Sequence, residues 1–319
     1  MKRALALFFP AILILFFSAS FASAYQIQDL PNTKIEEDII LGPTKIELFL
    51  FPGEKAVKEL IITNRTGRTL KFKTEIEDFI GSKDPNQLIV LLGNEKSSYS
   101  LKELLKPEIP EFILEHGQRI YLPVEISVPE NAEPGGRYGV VFAAVLPPEQ
   151  AGQEEKELAK SQISVVSRSG TLFFVKIKGN VSESGYLKSF ETSKKWQEKG
   201  PIKFQMLFEN NGNVHLFPEG KIEIFNILGK KVDELSIDSY FVMPDSLRLK
   251  DLSWNKGLLF GKYKALISLN RGYKDIIDQK ETEFWVIPWK FVLIGTILFS
   301  LIIFLLRMLS TKFEIRKKT

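Results

Sequence analysis

The sequence predicts an all-β fold of two tandem immunoglobulin-like β-sandwiches, followed by a single transmembrane helix. Three observations predict this organisation. Apolar and polar residues alternate with a period of two over many short segments, the pattern of strands that bury one face. Turn signals rich in Gly, Asn and Pro separate these segments at short intervals, as in sandwiches of antiparallel strands. A second apolar stretch near the C-terminus has the length of a membrane span.

Residues 1–24 have the order of a signal peptide. Lys2 and Arg3 form a positive start, residues 4–21 carry no charge, and an A-x-A triplet occupies positions 22–24. Signal peptidase reads this order of charge, apolar core and small residues. The long apolar run leaves an uncleaved membrane anchor open as the alternative, and both interpretations predict export.

Residues 25–286 form the predicted ectodomain, in which the first sandwich covers 25–180 and the second covers 181–286. Alternation is clearest in five segments, at 70–76, 120–128, 140–146, 202–208 and 263–269. The polar segment 147–160 has little to bury and is expected to be an exposed excursion of the first sandwich.

Two local features refine this division of the ectodomain. Each predicted domain contains a strand that ends in an Asn followed by a Gly-containing turn, at Asn64 and at Asn210. This weak internal repeat is consistent with two related sandwiches. A short helix is expected over residues 100–105, with Ser100 as its N-cap.

The second apolar stretch, residues 287–309, predicts the transmembrane helix. At about 1.5 Å per residue, roughly 20 residues cross a hydrocarbon core of ~30 Å. Trp285 and Trp289 lie at its start, and indole rings favour the headgroup region. The basic tail 310–319 follows, so the positive-inside rule predicts a single-pass plasma-membrane protein with an extracellular ectodomain and a cytoplasmic C-terminus.

Charge and cysteine content exclude several classes of function. The chain carries +4 in total; subtracting +2 for the signal and +4 for the segment from Arg307 onward leaves −2 for the ectodomain. No surplus basic surface remains for nucleic acid. The chain has no cysteine, which excludes disulfides, thiolate metal sites and a cysteine nucleophile.

Catalytic and metal-binding motifs are not found. The sequence has neither a G-x-S-x-G elbow nor a P-loop. His116 and His215 lie in turn segments without a ligand set. The acidic group at 77–86, which includes Asp78, has oxygen ligands that suit calcium but not the spacing of an EF-hand, so a solvated turn is the preferred interpretation. We expect a protein that is not an enzyme and that holds no metal and no cofactor.

The segment Gly135-Gly136-Arg137-Tyr138 is a candidate partner-binding turn. The glycine pair permits positive φ, and Arg and Tyr are enriched at recognition surfaces. The preferred alternative is a tight connection between core strands in which Tyr138 is buried. Asp78 is a further partner-binding candidate in the first domain. Trp196 and Trp254 are candidates in the second domain, and the same alternative of burial applies to them.

Several segments together indicate a relationship to a known family. They are the Pro52-Gly53-Glu54 turn, the Glu77-Asp78-Phe79 step, and the segments 128–140 and 209–214. On these, the chain resembles the WxL-interacting proteins of bacterial surfaces. The resemblance implies a peptidoglycan-binding domain, a host-binding domain and a membrane anchor. The polar segment 147–160 and the short tail depart from the family's pattern.

Two functions are compatible with these features. The first is a non-catalytic, membrane-anchored binding or scaffold protein that tethers cell-wall polymer or other surface proteins. The second is a surface assembly factor or chaperone-like protein that pairs a sheet edge with partner strands. An edge function needs an unpaired, uncharged strand. Residues 70–76 alternate with Lys and Glu, which blunt edges, so this segment favours the first function.

Overall fold

A computed structural model describes residues 25–147, 167–257 and 259–312. Strands dominate these residues and form two β-sandwiches, followed by one apolar helix. The predicted fold class is therefore confirmed. The predicted signal peptide, nearly all of the polar segment 147–160 and the end of the basic tail lie outside the described residues.

The first sandwich contains two sheets. Its strands are β1 (Gln26–Asp29), β2 (Ile39–Gly42), β3 (Lys45–Leu50), β4 (Lys55–Asn64), β5 (Leu70–Gly81), β6 (Ile89–Leu91), β7 (Leu105–Pro107), β8 (Glu111–Leu114), β9 (Gln118–Ser127), β10 (Gly135–Val145) and β11 (Arg168–Ile177). One sheet has the order β1-β9-β4-β2, with β7 also beside β9. The other has the order β3-β11-β10-β5-β6, with β8 also beside β5.

The core of the first sandwich follows from the period-two pattern. On β9, the side chains of Ile120, Leu122 and Ile126 point inward and are fully buried. They pack in one cluster with Phe72 of β5 and Phe173 of β11 from the facing sheet. Each such side chain contributes about 1.5–3 kcal/mol through burial, so the alternation that predicts these strands also accounts for their stability.

Strand β5 is an interior strand, so the charges at 70–76 are not evidence against a sheet-edge function. On one side, β5 pairs with β10 over Phe72–Asp78. On its other side it pairs with β8 and then with β6. Lys71 of β5 forms a cross-strand ion pair with Glu111 of β8, at 3.1 Å. The alternating charges therefore pair neighbouring strands and do not protect an edge.

Strand β3 occupies the edge of that sheet. The chain leaves β2 in one sheet at Gly42 and enters β3 in the other sheet at Lys45. Thr171 of β11 fixes the crossing, because its hydroxyl donates to the Pro43 carbonyl at 2.6 Å. From there β3 runs parallel to β11.

The second sandwich is built from the remaining strands. They are β12 (Gly185–Thr192), β13 (Trp196–Gln197), β14 (Ile202–Asn210), β15 (Glu219–Asn226), β16 (Lys231–Ile237), β17 (Ser246–Trp254), β18 (Gly261–Asn270) and β19 (Ile277–Val286). The sheet β12-β14-β17 faces the sheet β13-β19-β18-β15-β16. A separate aromatic core fills the space between the two sheets.

The internal repeat at Asn64 and Asn210 has a structural basis. The Asn64 amide donates to the carbonyls of Arg68 and Leu114, and its oxygen accepts the Thr66 N–H. In the second domain, the Asn210 amide donates to the carbonyls of Val214 and Val242, and its oxygen accepts the Gly212 N–H. Both amides are fully buried. Each sandwich thus holds the turn after its strand with the same set of hydrogen bonds.

The short helix expected over residues 100–105 is a single 3₁₀ turn, Lys102–Leu104. Ser100 does not cap it; its hydroxyl accepts the Ser97 N–H instead. The cap is Asp78 of β5, whose carboxylate accepts the N–H groups of Leu101 and Lys102, both at 2.7 Å. The sequence does not indicate this cap, because Asp78 lies 23 residues before Leu101, on another strand.

The C-terminal helix, α1, spans Trp289–Lys312. Its apolar part, Trp289–Leu309, has a mean hydropathy of 2.6 and is not buried against any described part of the chain. By length and composition it is able to cross a membrane. The helix begins two residues later than predicted because Ile287 still belongs to the sheet, with its N–H donating to the Gln197 carbonyl. Pro288 then precedes the first turn, where its missing N–H has no cost.

Candidate partner-binding edge and domain interface

An aromatic cluster joins the two sandwiches. The outer face of the first domain's second sheet contributes Phe79, Tyr138 and Phe174. The second domain contributes Met243 and Phe241, and the ring of Phe241 lies edge-on to Phe174 at 5.2 Å. The part of this face that carries Phe79, Tyr138 and Phe174 is therefore a contact between domains and is not open to a partner.

A chain of polar groups runs through this cluster. The Tyr138 hydroxyl accepts the His215 backbone N–H at 2.8 Å and lies 3.0 Å from His215 Nδ1. His215 Nε2 lies 3.0 Å from a carboxylate oxygen of Glu47 on β3. Burial raises the pKa of Tyr138, so its hydroxyl stays protonated. The hydrogen bond with His215, with a weaker contribution from its charge, lowers the pKa of the Glu47 carboxyl.

Acid should weaken the interface through Glu47. Because the folded-state pKa of Glu47 lies below its ordinary 4.5, its contribution to stability is present above pH 4.5 and is lost as pH falls through the folded-state value. We expect the stability of the wild type to fall more steeply below pH 4.5 than that of Glu47→Gln. Urea unfolding at a series of pH values measures both slopes. Equal slopes would show that the Glu47 carboxylate does not stabilise the fold.

Backbone hydrogen bonds reinforce the interface. The Gly136 N–H donates to the Asn213 carbonyl at 2.9 Å. On β17, the N–H groups of Leu247 and Leu249 donate to carbonyls of the first domain's 82–85 turn, at 3.1 and 3.0 Å. These bonds also close part of the outer edge of β17. The two domains are therefore joined by main-chain as well as side-chain contacts.

The predicted recognition turn Gly135-Gly136-Arg137-Tyr138 belongs to this interface. Tyr138 is fully buried, and Gly135 and Gly136 are buried with it, which corrects the hypothesis that they form an open surface. A Cβ on Gly136 would lie 1.9 Å from the Tyr138 hydroxyl oxygen, so glycine is required there by the ring. Arg137 donates to the carbonyls of Gly136 and Glu133 and holds its own turn.

The other candidate residues are dispersed. Asp78 is buried and caps the 3₁₀ turn, so its carboxylate is not available to a partner. Trp254 is 1 % exposed and lies in the second core, which corrects the expectation that it is on the surface. Trp196 is exposed and stacks on Trp285 at 5.4 Å. Within the described residues, no group of three or more His, Asp or Glu could hold a metal.

Strand β3 offers a free row of backbone groups. Within the part of the chain that the structure describes, it pairs only with β11. The Thr44 carbonyl accepts a hydrogen bond from Leu172 of β11, and the Leu50 carbonyl accepts one from Lys178, the residue that follows β11. Backbone groups of a strand point to alternate sides, so those of Lys45, Glu47 and Phe49 point away from β11. A segment of another chain could pair with them.

Two aromatic rings flank this edge. Phe49 is 54 % exposed and Phe51, one residue beyond β3, is 57 % exposed. The Lys178 ammonium lies 4.1 Å from the centre of the Phe51 ring. In contrast, Lys45 and Glu47 are turned toward the second domain, where Lys45 lies over Phe217 and Glu47 meets His215. Lys45 and Glu47 thus have partners in the second domain, although Lys45 is itself exposed, and Phe49 is the exposed apolar side chain of the strand.

Other edges of the sheets are less suited to pairing. Strand β16 carries charges that form a network of ion pairs with β15, and β1 is exposed and mostly polar. On β12, the Tyr273 hydroxyl and the Asp278 carboxylate accept outward N–H groups. Strands β6 and β8 have only three and four residues. Among the described strands, β3 therefore combines length, free backbone and apolar side chains best.

Sequence reasoning missed β3 as a site. The signal for it is the run KIELFLF at 45–51. Its three core positions, Ile46, Leu48 and Leu50, alternate with four other residues, of which the last two, Phe49 and Phe51, are aromatic. The alternation was visible, but the sequence does not show which strands lie at an edge.

No family model and no curated protein matches the chain. Solved structures of fimbrial chaperones are similar to it. The class 5 fimbriae chaperone CfaA is 13% identical, with a TM-score of 0.38 over 77% of this chain and 99% of its own. The E. coli chaperone DraB is 13% identical, with a TM-score of 0.34 over 78% and 95%. A chaperone–subunit complex of Csu pili from Acinetobacter baumannii is 12% identical, with a TM-score of 0.35 over 77% and 98%. Identities and TM-scores this low assign no function.

Proposed function

We propose that this chain is a membrane-anchored, non-catalytic assembly factor that holds an extended segment of a partner protein along β3. The observation that carries the proposal is the edge itself: β3 pairs only with β11 within the described residues, and Phe49 and Phe51 are exposed on and beside it. Helix α1 supplies the anchor by its length and composition.

The chemistry of the edge defines the segment that fits it. An added strand would hydrogen-bond to the backbone of Lys45, Glu47 and Phe49, which supplies affinity for any extended chain without proline at those positions. Its inward side chains would cover Ile46 and Leu48, each 8 % exposed and thus less buried than most of the core. Its outward side chains would lie beside Phe49. The preferred segment is therefore apolar at alternating positions and short.

The domain interface links the second domain to this edge. Glu47 of β3 is tied to His215 of the second domain, so the edge strand is held at one end by a neighbour. A strand that is fixed before binding loses less conformational entropy when a partner pairs with it. The contact between Glu47 and His215 therefore favours the addition of a partner strand to β3. Binding of a cell-wall polymer stays a prediction from the family resemblance.

Photo-crosslinking in cells tests the edge. A benzoylphenylalanine at Phe49 should crosslink to a surface protein, and the same group at Ile113, an exposed position on β8, should not. The crosslinked segment, made as a synthetic peptide, should then protect the amide hydrogens of Glu47 and Phe49 from exchange. Phe49→Lys should abolish this binding and Ile113→Lys should leave it intact.

Two outcomes would contradict the proposal. One is crosslinking at Phe49 and Ile113 to the same extent. The other is a bound peptide that leaves the amides of Glu47 and Phe49 unprotected, because a partner that does not pair with β3 cannot be held by strand addition.

A further inference from the structure

Four exposed apolar side chains lie at one end of the second sandwich. Three loops meet there: the connection 193–201 from β12 to β14, which includes the two residues of β13; 227–230 between β15 and β16; and the described residues of 255–260 before β18. They carry the exposed side chains of Trp196, Ile227, Leu228 and Phe260, of which Leu228 is 87 % exposed.

Strand registers place these loops together, at the end from which α1 leaves. Gly261 at the start of β18 pairs with Val286 at the end of β19. Asn226 at the end of β15 pairs with Tyr263, and Trp196 pairs with Trp285. Helix α1 begins three residues after Val286. Ile227, Leu228 and Phe260 are therefore at the same end of the domain as the first turn of the helix.

Several contacts hold the junction between the second domain and α1. Trp196 and Trp285 stack with their planes 9° apart. The Ile287 N–H donates to the Gln197 carbonyl, and Lys290 of α1 forms a 3.2 Å ion pair with Glu198. The loop 193–201 thus lies directly beside the start of the helix.

The charge of the three loops suits a lipid surface. They contain five lysines, Lys194, Lys195, Lys199, Lys230 and Lys256, against the single acid Glu198. Of these, Lys256 is already ion-paired with Asp233 at the start of β16. Segments that insert between the headgroups and the acyl chains have this composition, with apolar side chains at the tip and lysines around them. There the lysine stems lie along the apolar surface and the ammonium groups reach the phosphates. Tryptophan favours the same depth.

We infer that this end of the second sandwich docks into the lipid surface that α1 enters, with Ile227, Leu228 and Phe260 inserted among the headgroups. The occupant is a bilayer and not a protein because the surface is continuous with the membrane helix. The inference rests on the anchor in the proposed function, and it adds that the ectodomain stands on the membrane in a fixed orientation.

Site-specific fluorescence tests the docking in the full chain. The protein has no cysteine, so single variants Leu228→Cys, Ile277→Cys and Leu298→Cys can each carry one nitrobenzoxadiazole group. Ile277 is the matched control: it is 59 % exposed, in the same domain, at the opposite end of β19. Over ten residues the two ends of β19 are about 30 Å apart.

In vesicles of phosphatidylcholine and phosphatidylglycerol with doxyl-labelled lipid, the label at Leu228 should be blue-shifted and quenched, and the label at Ile277 should be neither. The double variant Ile227→Ser, Leu228→Ser should reduce quenching of a label at Phe260→Cys. Leu298 reports the helix separately. Quenching at Leu298 without quenching at Leu228 overturns the docking alone. Absence of quenching at both overturns the docking together with the anchor.

Discussion

Replacement of Tyr138 by alanine should lower the free energy of unfolding by about 3–5 kcal/mol, the cost of truncating a fully buried aromatic side chain. The ring packs against Phe79 and Phe174, at 5.8 and 5.6 Å between ring centres. The truncation also leaves the His215 backbone N–H without the hydroxyl that accepts it. Because His215 belongs to the other domain, the substitution should destabilise both domains.

Two probes separate these effects in urea unfolding. All four tryptophans lie in the second domain or at the start of α1, so their fluorescence follows the second domain, whereas far-ultraviolet circular dichroism follows both. Tyr138→Ala should shift both transitions to lower urea. Arg137→Ala, which removes only bonds within its own turn, is the control and should shift neither by much. An unchanged tryptophan transition in Tyr138→Ala would show that the interface does not couple the domains.

Alternation in the sequence was sufficient to predict the strands and the class of fold. Each β-strand with one buried face shows it directly, as β9 and β14 do. The apolar helix was equally predictable, because an apolar run of about 20 residues, free of charge over 291–306, has few other uses. Both features depend only on residues that are near one another in the chain.

The neighbours of each strand could not be predicted in the same way. The charges on β5 counted against an edge function, but β5 is an interior strand and its Lys71 forms an ion pair with Glu111 on a neighbouring strand. The edge is β3, and its position depends on where the chain crosses between sheets at Pro43. Alternation shows which face of a strand is buried, but pairing is decided by contacts distant in sequence.

One overlooked signal pointed to the domain interface. Strand β10 is apolar on both faces, and both faces are buried over most of its length. In an antiparallel sandwich one face usually meets solvent, so a strand of this kind indicates a second contact layer. Tyr138 lies on β10; the preferred interpretation of a buried ring agrees with its burial, but the ring packs in the domain interface.

Replacement of Asn210 by alanine should be about as damaging as the loss of Tyr138. The variant leaves the Gly212 N–H and the Val214 carbonyl without the partner that the amide supplies. Buried backbone groups left unpaired cost about 1–3 kcal/mol each, so a loss of about 2–6 kcal/mol is expected. Hydrogen exchange should increase first around the 211–216 turn and the end of β14.

Asn64→Ala is the equivalent change in the first domain, and Asn226→Ala is the matched control. The Asn226 amide oxygen also accepts two backbone N–H groups, but its turn is exposed, so water can replace the lost bonds and the cost should be small. If both domains depend on the same hydrogen bonds, Asn64→Ala should raise exchange around β4 and β8 to the extent that Asn210→Ala does around β14. A loss for Asn210→Ala no larger than for Asn226→Ala would show that the buried amides are not what holds these turns.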